Sequence, residues 1–372
     1  MRENFLRKPI DLLQKSICHS EHREKEVFAT VSVVSVAEQE TLMQESKSRY
    51  LLRYAETNIM HEIRLKGINA ALLSAVFLGL APVFGKAAMG ADQFSPFAVV
   101  ALRTSIAALL LVLIFAIFNR RALYIYPAAL YITMLAGAIN GLGSIFYYIG
   151  LSRLNASVAQ LLYSLYPFFV AFWLQLDRQP PTRLTVTRIG IAIVAVFFLT
   201  RGTTGAIDPI GVLFMLVAAA LYALHLPINQ RALYDVPAPT VTVYTLLAMS
   251  AVVVPVYFAF DGSPPGKAAE WTPVLMLTAV TFFSRLTLFM GVKHIGGMQT
   301  ALLGLAELII ALVFSHIILG ENFTGLQWIG LVGLGFSLLL VWFEKPPSHP
   351  PSKHGLLGWL QPPDFPTDFF KR

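Results

Sequence analysis

Apolar residues in this chain do not alternate with polar ones. They gather in runs of about twenty, separated by short polar stretches. Ten runs are read between Gly67 and Phe343, at about 67–88, 96–118, 127–149, 155–176, 185–200, 209–230, 239–260, 271–292, 299–319 and 325–343. At 1.5 Å per residue a helix of this length crosses a hydrocarbon layer roughly 30 Å thick. A membrane β-barrel would instead show segments of about ten alternating residues. The pattern therefore predicts an all-α membrane protein with ten transmembrane helices. Most connections are shorter than a dozen residues, so consecutive helices are expected to be antiparallel neighbours. The fifth run is the weakest, with Arg188 near its start.

The sharpest local feature is the stretch Ser284–Gly330. Two apolar runs flank a turn read as Val292-Lys293-His294-Ile295-Gly296-Gly297-Met298, with Arg285 inside the first and Glu307 inside the second. A charge at such depth needs a partner or a wet cavity and is a functional-site candidate by default. Helical rise places both residues roughly 10–13 Å beyond the turn, at nearly equal depth, so an ion pair between them is within reach.

The first five runs resemble the last five. Ala81-Pro82-Val83-Phe84-Gly85-Lys86-Ala87 matches Leu226-Pro227-Ile228-Asn229-Gln230-Arg231-Ala232 at an offset of 145. Gly150-Leu151-Ser152-Arg153-Leu154-Asn155-Ala156 matches Gly291-Val292-Lys293-His294-Ile295-Gly296-Gly297 at 141, and Arg188-Ile189-Gly190 matches Trp328-Ile329-Gly330 at 140. Five crossings are an odd number, so the second set enters the membrane upside down. Inverted repeats of this kind characterise secondary transporters, whose site lies where the repeats meet.

Several phrases in this order resemble the EamA-type permeases of the drug/metabolite transporter superfamily. They are Ala101-Leu102-Arg103, Phe146-Tyr147-Tyr148-Ile149-Gly150-Leu151 with Asn155-Ala156-Ser157, and Leu165-Tyr166-Pro167. Ala306-Glu307-Leu308, Leu319-Gly320-Glu321 and Gln327-Trp328-Ile329-Gly330 complete the set, and the resemblance covers about residues 67–343. It departs at Leu308, where the family usually has proline, and at Asp177-Arg178-Gln179-Pro180, where a Leu-Gly-Glu phrase is common. The resemblance implies a drug/metabolite transporter-like fold of two inverted five-helix repeats, at 67–200 and 201–343. An N-terminal segment 1–66 precedes them and a proline-rich tail 344–372 follows.

Composition sharpens this picture. The chain is 56% hydrophobic and 13% charged, against about 25% charged in ordinary soluble domains. The net charge of +7 is concentrated in loops and is not read as nucleic-acid binding. With residue 66 on the cytoplasmic side, ten Lys and Arg fall in short cytoplasmic segments: Arg64, Lys66, Arg120, Arg121, Arg178, Arg183, Arg188, Arg231, Lys293 and Lys345. Lys86, Arg153, Arg201 and Lys267 fall outside, so both termini are expected in the cytoplasm of a cell whose inner or plasma membrane holds the chain. Trp173, Trp271, Trp328 and Trp342 fall near span ends, as an interfacial belt requires. The lone Cys18 excludes an internal disulfide, and neither a metal site nor a cofactor is expected. Residues 1–59 carry no signal-peptide core and read as a regulatory arm, a disordered tail, or sequence upstream of a true start at Met60. The tail Pro346-Pro347-Ser348-His349-Pro350-Pro351 reads as a solvated end.

Within the spans, Arg103 reads as a counter-charge for an anionic or zwitterionic substrate, or as a structurally paired arginine. Arg285 and Glu307 read as a register-fixing ion pair, or as a site in which Glu307 binds substrate or takes up a proton. His225, two residues before Pro227, reads as a proton relay or an ordinary interhelical hydrogen bond. Asn140, Ser144, Tyr147, Tyr148, Gln160, Tyr163, Tyr166 and Asn229 are candidates to line the same cavity, with Gln160, Tyr163 and Tyr166 forming one helical stripe. Pro82, Pro167, Pro227 and Pro255 are candidate bending points. Gly137-x-x-x-Gly141 and Gly333-x-x-x-Ser337 read as close-packing faces.

The reading expects a permease for a small polar metabolite, amino-acid-like compound or drug, working by alternating access with proton-coupled efflux as one mode. It is not expected to be an enzyme, since no nucleophile–base pair, His-x-x-x-His or Gly-x-Ser-x-Gly accompanies the buried charges, and no phosphate-binding Gly-x-x-x-x-Gly-Lys-[Ser/Thr] occurs. A membrane-embedded sensor or scaffold, or an intramembrane enzyme, is the alternative. Partners are a small-molecule substrate and the lipid bilayer, with a homodimer left open.

Overall fold

The structure, a computed structural model, describes residues 61–89, 93–154, 156–200, 208–262, 269–319, 324–343 and 355–360. The expectations for residues 1–59 and for a start at Met60 lie outside these residues. All regular structure among them is helical. The helices are α1 (His61–Ala88), α2 (Pro96–Phe118), α3 (Pro127–Arg153), α4 (Ala156–Tyr163), α5 (Tyr166–Leu176) and α6 (Arg183–Thr200). They continue as α7 (Pro209–Leu233), α8 (Ala238–Phe260), α9 (Trp271–Ile295), α10 (Gly297–Gly304), α11 (Ala306–Leu319) and α12 (Gly325–Leu339). Eight helices among the described residues are long and apolar enough to cross a membrane, with α4 and α5 counted together over Val158–Leu176. Helix α6 and the α10–α11 pair stand at the fifth and ninth positions of the predicted ten.

Local chemistry explains where these helices start. Proline opens α2, α3 and α7, where its missing N–H belongs to the unsatisfied first turn and its φ is already helical. The Ser95 hydroxyl accepts from Ala98 N at 3.1 Å and Asp208 Oδ1 from Ile210 N at 2.9 Å, capping α2 and α7. Thr324 and Gln327 form a reciprocal capping box on α12.

Two predicted spans are not continuous. The fourth breaks at Ser164 and Leu165, and the ninth breaks at Leu305. Pro167, the second residue of α5, stands just past the break in the fourth span, where its missing N–H leaves the Tyr163 carbonyl without its helical partner, whereas Pro227 and Pro255 lie inside α7 and α8. The predicted seven-residue turn after the eighth span contracts to one residue. Helix α9 runs to Ile295, Gly296 reverses the chain at φ 82°, and α10 starts at Gly297. That left-handed conformation is the one glycine adopts without steric cost.

Helix α3 packs against α7 and α8, α2 against α8 and α9, α5 against α7, and α6 against α12. Small residues let backbones approach: a Cβ on Gly137 would lie 2.5 Å from both Thr245 O and Ala248 Cβ of α8, and one on Gly141 would lie 3.2 Å from Met249 O. The second small-residue face, Gly333 and Ser337, meets α6, where Ser337 Oγ donates to Arg188 O at 3.0 Å. Arg188, which weakened the fifth span on paper, is fully buried and donates from Nε to Ser337 O at 3.0 Å and from Nη1 to Gln299 Oε1 at 2.6 Å. Its charge is spent tying α6, α12 and α10 together. The outward faces stay apolar, with Leu109, Ile117, Phe118 and Val332 exposed to where lipid would be.

The two ends of the bundle are closed differently. Where α1 starts and α12 finishes, Arg64 Nη2 donates to Val341 O at 2.6 Å. At this end Arg231 of α7 forms a buried ion pair with Asp177, Nη2 to Oδ2 at 2.6 Å. Asp177 Oδ1 also accepts from Leu357 N at 2.8 Å, and Leu356 N donates to Leu176 O at 3.3 Å. The expectation of a solvated tail is therefore corrected for residues 355–360. Leu357 and Leu360 are buried and Trp359 packs edge-on to Tyr131, because the segment covers an exposed helix end and satisfies its acceptors; Pro346–Pro351 lie outside the described residues. At the opposite end Arg153 meets Asp208 at 3.1 Å, Ser95 bonds Asp261, and Glu270 N donates to Gln93 Oε1 at 2.7 Å. The exposed Asp208 carboxylate is held below its usual pKa first by Ile210 N–H and then by Arg153. Trp173 also departs from its expected belt role, since its Nε1 donates to Ala220 O at 3.1 Å.

Replacing Gly137 by Val should cost about 1–3 kcal/mol, because a backbone carbonyl on α8 cannot move aside as a flexible side chain would. Gly190 has open space where a Cβ would go, so Gly190→Ala should be neutral or slightly stabilising; thermal unfolding in detergent separates the two. Asp177→Asn leaves Arg231 buried without its carboxylate and should cost about 3–5 kcal/mol, read as a lowered melting temperature that Arg231→Met introduced alongside partly restores.

Candidate functional site

The two helix breaks meet each other. Tyr166, just past the break in the fourth span, donates from its hydroxyl to Ala301 O at 2.9 Å, just before the break in the ninth. Gln160, just before the first break, donates from Nε2 to Glu307 Oε1 at 3.0 Å, just after the second. Residues 160 and 301, and likewise 166 and 307, stand 141 positions apart, the offset seen in the sequence repeat. The crossing is thus one contact made twice, once with a tyrosine and once with a glutamate at the corresponding position. Gly304 lies against the Tyr166 hydroxyl, where an added Cβ would find no room.

Around this crossing sits a buried polar cluster. Tyr147 of α3 donates to Gln160 Oε1 at 3.3 Å, extending the chain Tyr147–Gln160–Glu307. Five tyrosines follow one another with edge-to-face or tilted ring contacts: Tyr148 to Tyr147 at 5.3 Å, Tyr147 to Tyr163 at 4.8 Å, Tyr163 to Tyr222 at 5.3 Å, and Tyr222 to Tyr166 at 5.0 Å between ring centroids. A guanidinium lies near each end of this ladder. Arg103 is 4.8 Å from the Tyr148 centroid and Arg285 is 5.4 Å from that of Tyr222, both within cation–π range. Arg103 Nη1 also donates to Thr281 Oγ1 at 3.0 Å. Arg103 is 7% exposed, Arg285 4% and Glu307 2%.

Arg285 and Glu307 do not form a direct ion pair: Arg285 lies over the Tyr222 ring and Glu307 accepts from Gln160, which corrects the expected pairing. Equal depth does not set azimuth. Helix α9 turns Arg285 towards Tyr222 of α7, while the break at Leu305 turns Glu307 towards Gln160 of α4. His225, one turn beyond Tyr222, is fully buried; its Nδ1 contacts Tyr222 O, its ring stacks 4.7 Å from that of Tyr222, and Nε2 has no hydrogen-bond partner.

Of the predicted site residues, Arg103, Tyr147, Gln160, Tyr163, Tyr166, Arg285 and Glu307 come together, with His225 at the margin. Ser144 is buried one turn from Tyr147 on α3. Asn140 and Asn229 belong elsewhere: Asn140 Nδ2 donates to Met249 Sδ at 3.2 Å, and Asn229 Oδ1 accepts from Thr245 Oγ1 at 3.2 Å, both joining neighbours to α8. Tyr222 and Thr281 complete the cluster and were missed. Tyr222 lies in the apolar run Ala218–Leu224, and its counterpart 145 positions earlier is Phe77, so the repeat argued against it. Thr281 did carry a signal, since it lies 141 positions after Asn140 and four before Arg285. Beside the break, Ser164, Pro167, Ile189 and Leu305 line a crevice of about 10 Å³, room for roughly one water-sized sphere.

Comparison with known proteins bears on both halves. The model of the EamA-like transporter family matches residues 65–201 and again 209–343. The chain is similar to the uncharacterized transporter YcbK of Bacillus subtilis, 24% identical over 213 residues, 53% of this chain and 67% of that one. It is also similar to the uncharacterized transporter sll1319 of Synechocystis, 24% identical over 206 residues, covering 53% of this chain and 62% of that one. A solved crystal structure matches 76% of this chain and 98% of its own at a TM-score of 0.59 and 18% identity, a likeness of fold. With a family match on each half and a helix bundle whose broken spans cross between those halves, the chain belongs to the EamA-like transporter family.

Proposed function

We propose that this membrane transporter is a secondary carrier that moves a small polar solute by alternating access, with Glu307 carrying a coupling proton. The observation that carries the proposal is the polar cluster at the crossing of the broken spans. Irregular backbone at membrane depth is tolerated where it is buried in protein or lines a cavity. Transporters place substrate and coupling sites at such breaks, between inverted repeats. Here the breaks bring a carboxylate, two guanidinium groups and five phenols into one place. Amino-acid-like compounds, polar metabolites and drugs with a polar head are the solutes this lining suits.

Alternating access requires the two ends to open in turn. In this reading the Asp177–Arg231 pair with the docked segment 355–360 closes one end, and the Arg153–Asp208 pair closes the other. The loop charges favour the first end facing the cytoplasm of a cell whose inner or plasma membrane holds the chain.

In proteoliposomes, a pH gradient should drive uptake of a transported metabolite found by screening. Glu307→Gln should lower gradient-driven uptake about tenfold or more while leaving solute-for-solute exchange in place. Full gradient coupling in this variant would remove Glu307 from the coupling role, and a requirement for ATP would remove the carrier reading itself.

A further inference from the structure

We propose that the cluster binds the anionic group of a small carboxylic acid between Arg103 and Arg285, so that the preferred solute carries net negative charge rather than being a zwitterion. This rests on the carrier reading above and adds a substrate class to it. Both arginines are more than nine-tenths buried, and neither is neutralised by a direct ion pair. Arg103 Nε, Arg285 Nε and Arg285 Nη1 have no hydrogen-bond partner. Buried donors of this kind are costly to leave unpaired. Thr281, which accepts from Arg103, lies one helical turn before Arg285 on α9, so the two guanidinium groups flank one face of that helix.

Charge balance decides between solute classes. Among the described residues Glu307 is the acid in the cluster, and one of its oxygens already accepts from Gln160. With Glu307 ionised, two guanidinium groups against one carboxylate leave a single positive charge uncompensated, and the coupling proton on Glu307 would add one more. A zwitterion brings no net charge and leaves that excess in place. A monocarboxylate cancels it, and its two oxygens match the geometry of guanidinium N–H groups. The tyrosine ladder beside the pair supplies aromatic faces and edges with hydroxyl groups, which suits an organic acid with an unsaturated or aromatic body.

The test uses the full chain, purified in detergent, with ligand-dependent thermal stabilisation and direct binding as readouts. The probes are short aliphatic and aromatic monocarboxylates, their amides and methyl esters, the matching amino acids, and sodium chloride. Carboxylates should stabilise the chain while amides, esters and amino acids do so at least about tenfold more weakly by concentration. Arg285→Met and Arg103→Met should each abolish this response. Each should also leave ligand-free stability unchanged or raised, because an unpaired buried charge has been removed; Lys at either position should keep part of the response. Equal response to amides or amino acids, failure of every carboxylate, or a response retained in both Met variants overturns the proposal. An equal effect of chloride makes the pair an inorganic-anion site and overturns it too. Transport of neutral solutes untouched by either substitution sinks the anion assignment and leaves the carrier intact. Carboxylate binding without transport of any solute does the reverse.

Discussion

A helix that stops inside hydrocarbon leaves N–H and C=O groups with no water to meet them, and every such group must find a protein partner. In this chain two helices stop at that depth, and much of the arrangement follows from how they serve each other. The carbonyl freed near the break of the ninth span is met by the Tyr166 hydroxyl, and the polar side chain placed past that break, Glu307, is met by Gln160. Each break therefore supplies a group that the other requires. Neither span would be stable alone in lipid, and together they define where polar chemistry can be kept. The tyrosines and arginines gather there because the crossing has already displaced lipid and admits hydrogen-bonding groups at little further cost.

The charges elsewhere in the bundle obey a different logic. Asp177 with Arg231, and Arg188 with Gln299 and Ser337, are buried and held by short bonds to oxygen, and they join helices near one end. Their oxygen partners lie within 3.0 Å. Arg103 and Arg285 instead spend part of their charge on aromatic faces, an interaction worth about 0.5–2 kcal/mol and weaker than a good ion pair. What distinguishes Arg103 and Arg285 among these buried arginines is the aromatic face each lies over.

Much of the fold was legible because membrane helices announce themselves by length and composition, as the limits of α2 at Pro96 and Phe118 show. The breaks were less legible. The break at Ser164 and Leu165 had a local signal in Pro167, which lacks the N–H that would bond the Tyr163 carbonyl, whereas Leu305 is an ordinary residue in an apolar run with no such signal. The site divides the same way. Arg103, Arg285 and Glu307 stand out because charge in an apolar run is rare, whereas Tyr222 looks like one more aromatic in a greasy stretch. Asn140 and Asn229 misled for the converse reason: an amide in a span serves equally well as a helix–helix tie, and their partners Met249 and Thr245 lie on α8 rather than at the crossing. The pairing of Arg285 with Glu307 failed because rise along an axis is readable from residue count, while rotation about it depends on where a helix breaks.

The repeat also explains why the site is lopsided. Backbone symmetry puts Ser144 opposite Arg285, Asn140 opposite Thr281, Phe77 opposite Tyr222 and Tyr166 opposite Glu307. The second repeat thus supplies one cation and the carboxylate, and the first supplies Gln160, most of the tyrosines and Arg103. A symmetric pair of halves would make a site with the same chemistry facing both ways, and a solute would meet it identically from either side. Divergence at these few positions keeps the crossing intact while letting its two faces differ. That is how a fold built from one repeated unit can hold a polar cluster whose two faces are chemically unlike.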